Sequence, residues 1–321
     1  MRGKPVLFTS DRPLGRADNL KAVWDAYDGE RVFVQYLKDS CKALCDDYSV
    51  MVTDEIPKYC QNKGKAKIIF VSHGLPGDKK YGLDCTQAHK AGASQIDFAV
   101  STGDYCSRQW QRQLGLPPER TISLGMPITD RYVGKRKGHG GTILGEYRRA
   151  YLYVPTWRAR GNPPLPNIDW HKVDSLLEED EMIAVKRHMC TEDPLVGEDL
   201  KHVREFSNMV PSIPYIIDCD VLATDFSSIL FDGYLCGKPS VLVIDGAHDY
   251  LFSHGMIEDY PSWYGSRTVC AEGNEEAFVD ALRNAWGTEL GEVERRCISL
   301  VAGVCDGNAS MRVADLISRF A

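Results

Sequence analysis

Three short stretches of this chain place chemistry-bearing side chains directly after an apolar run. In Val221-Leu222-Ala223-Thr224-Asp225-Phe226-Ser227-Ser228-Ile229-Leu230-Phe231-Asp232, a buried-strand pattern gives way to small hydroxyl residues and then to a helix-like segment. Backbone N–H groups at such a helix start, with the Ser227 and Ser228 hydroxyls, can face an anion, and a diphosphate is a natural occupant. Thr224, Asp225 and the serines equally suit plain helix capping, so spacing alone leaves both readings open. In Val71-Ser72-His73-Gly74 a histidine leaves the end of a strand, and glycine lets another group approach. Ligands of open α/β sheets collect beyond the carboxyl ends of strands, where His73 can act as a base; a histidine satisfied by local hydrogen bonds fits as well. The third stretch, Ala184-Val185-Lys186-Arg187-His188, also ends a strand in polar residues. Lysine and arginine there supply charge for a phosphate and His188 a hydrogen bond or proton, unless the segment is only a solvated basic loop.

Other chemistries lack their residues. The chain has no Gly-x-x-x-x-Gly-Lys-Ser/Thr phosphate loop, no Gly-x-Ser-x-Gly elbow and no His-Glu-x-x-His zinc pattern. Asp218-Cys219-Asp220 is a short acidic stretch, so neither a structural metal nor a cofactor is expected. His89, His139, His171, His202, His248 and His254 have no setting like that of His73 or His188. The 11 cysteines are odd in number and irregular in spacing, and Cys41 with Cys45 lacks the Cys-x-x-Cys separation, which points to reduced thiols in a cytoplasm. A net charge of -7 gives no general attraction to nucleic acid or anionic lipid, and disfavours nucleic acid as a partner without excluding a local basic patch. Met1 to Lys4 lead into an apolar run that ends near Phe8, too short for a signal peptide. Runs such as Ile68 to Val71 and Val241 to Ile244 fall far below the ~20 residues of a membrane-spanning helix.

These side chains need a scaffold, and at 321 residues the chain exceeds what one core usually serves. Short β-type runs recur at Val6 to Thr9, Arg31 to Val34, Val50 to Thr53, Lys67 to Ser72, Phe98 to Ser101 and Thr121 to Leu124. A second series follows at Tyr151 to Val154, Met182 to Lys186, Val221 to Thr224, Ser240 to Asp245 and Thr268 to Cys270. Continuous apolar character, with helix-length segments between, indicates strands covered on both faces in two successive α/β domains. The polar, glycine-rich stretch Gly134 to Gly141 reads as the linker, and Arg160 to Pro166 as a loop able to cover a site. The expected domains are 1–142, 143–305 and a C-terminal helix over 306–321. Asn274 stands where it can cap a helix with Phe278, Ala281, Leu282 and Ala285 on one buried face. Val313, Leu316, Ile317 and Phe320 repeat that spacing in the last helix.

Taken in order, the motifs resemble those of the CDP-glycerol glycerophosphotransferases of teichoic acid assembly. Tyr151-Leu152-Tyr153-Val154-Pro155-Thr156-Trp157-Arg158 is similar to the family's Tyr-Ala-Pro-Thr-Trp-Arg strand and turn, and Thr224 to Asp232 to its Thr-Asp-Tyr-Ser-Ser-x-x-Phe-Asp motif. Gly237-Lys238-Pro239, His73-Gly74, Gly125-Met126-Pro127 with Asp130, and Asp306-Gly307-Asn308-Ala309-Ser310 match as well. Ser72, Leu75 and Met189 depart from the pattern. The resemblance implies a GT-B fold, two Rossmann-like domains facing across a cleft, with a CDP-activated donor on the C-terminal one. It implies His73 as the base acting on an acceptor hydroxyl, His188 beside the donor phosphates, and a donor held by Arg158, Lys186, Thr224, Asp225, Ser227 and Ser228. A lipid-linked glycan or polymer is the kind of acceptor this suggests, reached from the inner membrane face.

Two other functions fit the same residues. A GT-B glycosyltransferase would release a nucleoside diphosphate instead of CMP, with a cell-surface or phage-type acceptor, even modified DNA. A nucleotide-binding module without catalysis has less need of both His73 and the Ser227/Ser228 pair.

Overall fold

The computed structural model describes residues 4–35, 47–58, 60, 63–74, 87–135, 144, 147–158, 165–188, 191, 194–197, 199–246 and 256–321. It divides into two compact units, Met1–Val133 with Ser299–Ala321, and Gly134–Ile298. Most of the Gly134 to Gly141 and Arg160 to Pro166 stretches, and the expected boundary at 142/143, lie outside the described residues.

A parallel sheet covered on both sides sends alternate side chains into two separate cores. Unit 1 is built this way, from β1 (Val6–Ser10), β2 (Arg31–Gln35), β3 (Val50–Thr53), β4 (Lys67–Phe70), β5 (Phe98–Ser101) and β6 (Thr121–Ser123). The order is β2-β1-β3-β4-β5-β6, with every pair parallel. Val6, Phe8, Val50, Val52 and Ile69 enter one cluster. Leu7, Met51, Ile68 and Phe70, their chain neighbours, enter the other. The first cluster is closed by helix Asp18–Ala26 through Leu20 and Val23, and by helix Ala309–Ser318 through Val313, Leu316 and Ile317. At about 1.5 to 3 kcal/mol for each fully buried Val, Leu or Ile, those contacts account for the return of the chain to unit 1 at Ser299. The C-terminal helix, expected as a separate element, is thus part of the first unit's core.

Polar contacts fix that helix in register. The Asp130 carboxylate accepts hydrogen bonds from the Ala309 and Ser310 backbone N–H groups at 2.9 and 2.7 Å, a favourable place for negative charge at a helix start. Arg312 Nε donates to the Leu124 carbonyl at 2.8 Å. Between them Gly125 has φ +87°, and a Cβ there would lie 2.9 Å from both Ala309 Cβ and the Val304 carbonyl oxygen. Only glycine meets both demands. The Gly125, Asp130 and Ala309-Ser310 motifs therefore meet in one joint.

Unit 2 repeats the plan with β7 (Arg149–Val154), β8 (Glu181–Val185), β9 (Val203–Glu205), β10 (Val221–Thr224), β11 (Ser240–Val243) and β12 (Thr268–Val269). Their order is β12-β11-β10-β7-β8-β9, again parallel. Tyr151, Tyr153, Ile183, Val185, Val221 and Ala223 pack against Phe278, Val279 and Leu282 of helix Glu275–Ala285. Asn274 does precede this helix, but its side chain makes no capping bond. In both sheets the strand order reverses beside the first strand, between β1 and β3 in unit 1 and between β7 and β10 in unit 2. Crevices at such reversals, outside the carboxyl ends of strands, are where open α/β sheets take ligands. Among the described residues no helix is long and apolar enough to cross a membrane.

Candidate active site

The sheet of unit 2 brings the second and third polar stretches to one edge. Val154 is in register with Thr224 and Tyr153 with Val185, so β7, β8 and β10 end side by side. Beyond those ends lie Trp157 and Arg158, then Lys186 and His188, then Asp225 to Ser228. The reversal between β7 and β10 runs through the group.

Thr224 and Asp225 turn inward. The Thr224 hydroxyl donates to the Val154 carbonyl at 2.6 Å, joining the two strand ends. Asp225 accepts the Thr156 backbone N–H at 2.8 Å, the Thr156 hydroxyl, and Arg158 Nη2 at 2.6 Å. The Arg158 and Asp225 side chains are only 8% and 1% exposed. Burying two charges is tolerable when they pair and their remaining valences are used, and Asp225 meets both conditions. The Phe226 ring lies 5.2 Å from the Arg158 guanidinium carbon and also packs on Tyr260. Burial raises the Tyr260 phenol above its ordinary range.

Ser227 and Ser228 stay half-buried at the start of helix Ile229–Leu235. The Ser228 side chain makes no capping bond, and Ser227 Oγ is 3.5 Å from the Ile229 N–H. Lys186 is buried, and that burial, reinforced by Arg187, lowers its ammonium pKa to about 8. Arg187 pairs with Glu205 of β9 at 2.8 Å. Glu205 also accepts the Leu195 and Val196 N–H groups, so it ties the loop after β8 to the sheet. His188 is exposed, with its ring 6.2 Å from that of Trp157 and tilted by 31°.

His73 belongs to unit 1, beyond the end of β4. Ser72 before it has φ +57°, an uncommon left-handed backbone for a residue with a side chain. The turn is held by Asn19, whose amide donates to the Ser72 carbonyl at 3.0 Å and accepts the Ile128 N–H at 2.8 Å. His73 Nδ1 is 3.6 Å from Glu55 Oε1, and the same oxygen pairs with Arg12 Nη2 at 2.6 Å. Next to Glu55, Asp54 is fully buried, and burial raises its carboxyl pKa to about 6.

The sequence reading did not single out Glu55, Arg12 or Glu205. Glu55 follows β3 as His73 follows β4, and that strand-end position is the available clue.

Two doubly wound parallel sheets in succession, each with a polar cluster at its reversal point, are the plan of the GT-B class of fold. The chain belongs to the family described as CDP-Glycerol:Poly(glycerophosphate) glycerophosphotransferase, which matches residues 4–319. It is 24% identical over 243 residues to a teichoic acid glycerol-phosphate primase of Bacillus subtilis, covering 71% of this chain and 62% of that protein. It is 23% identical over 306 residues to a teichoic acid glycerol-phosphate transferase of Staphylococcus aureus, covering 83% of this chain and 75% of the relative. A variant of the wall teichoic acid polymerase TagF with CDPG superposes with a TM-score of 0.78 at 18% identity, over 99% of this chain and 89% of that one. At that identity the likeness carries the fold.

Proposed function

We propose that this protein transfers glycerol phosphate from CDP-glycerol to a hydroxyl of a poly(glycerophosphate)-type acceptor and releases CMP. The convergence of Arg158, Lys186, His188 and Ser227/Ser228 at the carboxyl edge of three adjacent parallel strands carries this reading, together with the family to which the chain belongs. His73 takes the proton of the acceptor hydroxyl, whose oxygen attacks the phosphorus bearing the glycerol. The bond from that phosphorus to the CMP oxygen breaks, and CMP leaves with the electron pair. Lys186, His188 and the two serine hydroxyls bind the phosphoryl oxygens as charge builds on them, the electrostatic part of catalysis. Thr224 joins the ends of β7 and β10, and the buried Arg158–Asp225 pair braces the turn behind this edge.

Purified protein incubated with poly(glycerophosphate) and either CDP-glycerol, CDP-ribitol or UDP-sugars tests this reading through the nucleotide released. CMP from CDP-glycerol, with lengthening of the acceptor, is the expected outcome. A nucleoside diphosphate from a UDP-sugar, with no CMP from either CDP donor, would replace phosphotransfer by glycosyl transfer.

Lys186 gives the donor site a pH dependence with a definite sign. Its ammonium is charged below about 8 and becomes neutral as pH rises through that value. A phosphate binds the charged form, so affinity for CMP should be full near pH 7 and about tenfold weaker at pH 9. Calorimetric titration across that range checks it, and Lys186→Met should bind more weakly at pH 7 and lose this part of the decline.

A further inference from the structure

The reversal point of the unit 1 sheet holds a second charged cluster, centred on Glu55. Its backbone is fixed by Thr53, whose hydroxyl donates to the Glu55 carbonyl at 2.9 Å and accepts the Glu55 N–H at 3.2 Å. Its carboxylate is fixed by Arg12, from the turn after β1, at 2.6 Å. The side chain is therefore held from both ends, with Oε1 facing His73 Nδ1 at 3.6 Å. His73 rests on a turn set by Ser72 and Asn19. A carboxylate held at this ion-pair distance from an imidazole nitrogen favours hydrogen on that nitrogen by its charge, and steadies the imidazolium once the other nitrogen has taken a proton.

We propose that Glu55 is the positioning residue for His73: its carboxylate faces Nδ1 and attracts it, so that Nε2 is left to receive the acceptor's proton, and it balances the charge this creates. This rests on His73 being the base in the transfer proposed above. The proton passes from the acceptor hydroxyl to Nε2 as the acceptor oxygen forms its bond to phosphorus, and the bond from that phosphorus to the CMP oxygen breaks, CMP leaving with the electron pair. Arg12 sets the aim of Glu55 and moderates its charge. The other charged groups of this edge are Asp54 beside Glu55 and Asp18 on helix Asp18–Ala26, both with pKa values raised by burial. Arg131 acts on Asp18.

Steady-state transfer from CDP-glycerol to poly(glycerophosphate) by Glu55→Ala, Glu55→Asp, Glu55→Gln and His73→Ala tests the assignment. Glu55→Ala should lower kcat about 10- to 100-fold with little change in KM for the donor, the cost of a ring out of place. Glu55→Asp, which keeps the carboxylate, should recover several-fold of that loss. Glu55→Gln removes the charge that favours imidazolium, so the acid limb of its kcat/KM profile should move to lower pH by up to about one unit. A wild-type kcat in Glu55→Ala, or an acid limb unmoved in Glu55→Gln, while His73→Ala is inactive, would overturn the role of Glu55 and leave the base in place. Wild-type turnover in His73→Ala would instead remove the base, and Glu55's role with it. If Glu55→Ala does not fold, the Asp and Gln variants still decide the question.

Discussion

Asp225→Ala should destabilise the protein by about 3 to 5 kcal/mol, the range for removing one partner of a buried ion pair. The loss has two parts. The Arg158 guanidinium, 8% exposed, would keep its charge and lose the carboxylate 2.6 Å away. The Thr156 backbone N–H and hydroxyl would lose their acceptor, and a buried donor left without one costs about 1 to 3 kcal/mol. Phe226 cannot compensate, since its ring already lies against the guanidinium. Urea denaturation measures the effect. Arg158→Met with Asp225→Leu should be much less costly than the sum of the two single changes, because no charge is then left alone. A loss under ~1 kcal/mol in Asp225→Ala would mean that water reaches the pair in solution.

That pair also marks how far the sequence could be read. The strands were legible because both faces of the central strands are covered, so β1, β3, β8 and β10 are buried at every position and mostly apolar. β9 was not: Val203–Glu205 has only Val203 buried, too little pattern to stand out. The strand-end positions of His73, Lys186 and Ser227 were legible for the same reason as the strands, since each is a polar residue where an apolar run stops. Which way a side chain turns there was not. Asp225 is among the residues that the resemblance assigns to the donor, yet it points inward to Arg158, 67 residues away in the chain. Thr224 likewise bonds to Val154, and Arg187 to Glu205. Such pairings depend on which strands become neighbours, and local pattern does not encode that. The last helix makes the same point: its spacing of Val313, Leu316 and Ile317 defines an apolar face without naming the sheet it covers.

His73→Ala should lower kcat by ~100-fold or more, about 2.7 kcal/mol of transition-state stabilisation, which is the usual contribution of a positioned general base. The geometry gives the reason. A base works only when its nitrogen is held where the proton is, and the His73 backbone is held by an unusual turn at Ser72, by the Asn19 amide and by the end of β4. Alanine leaves that turn its support, because the Asn19 amide holds backbone groups, the Ser72 carbonyl and the Ile128 N–H. Stability should change little, since the side chain is 38% exposed. Donor affinity should also stay near the wild-type value, because the residues proposed to hold CDP-glycerol all belong to unit 2. The change should therefore appear in kcat and in kcat/KM together, with the thermal shift given by CMP preserved. Equal loss of CMP binding would instead assign His73 to the donor, and wild-type turnover would reduce it to a histidine satisfied by its neighbours.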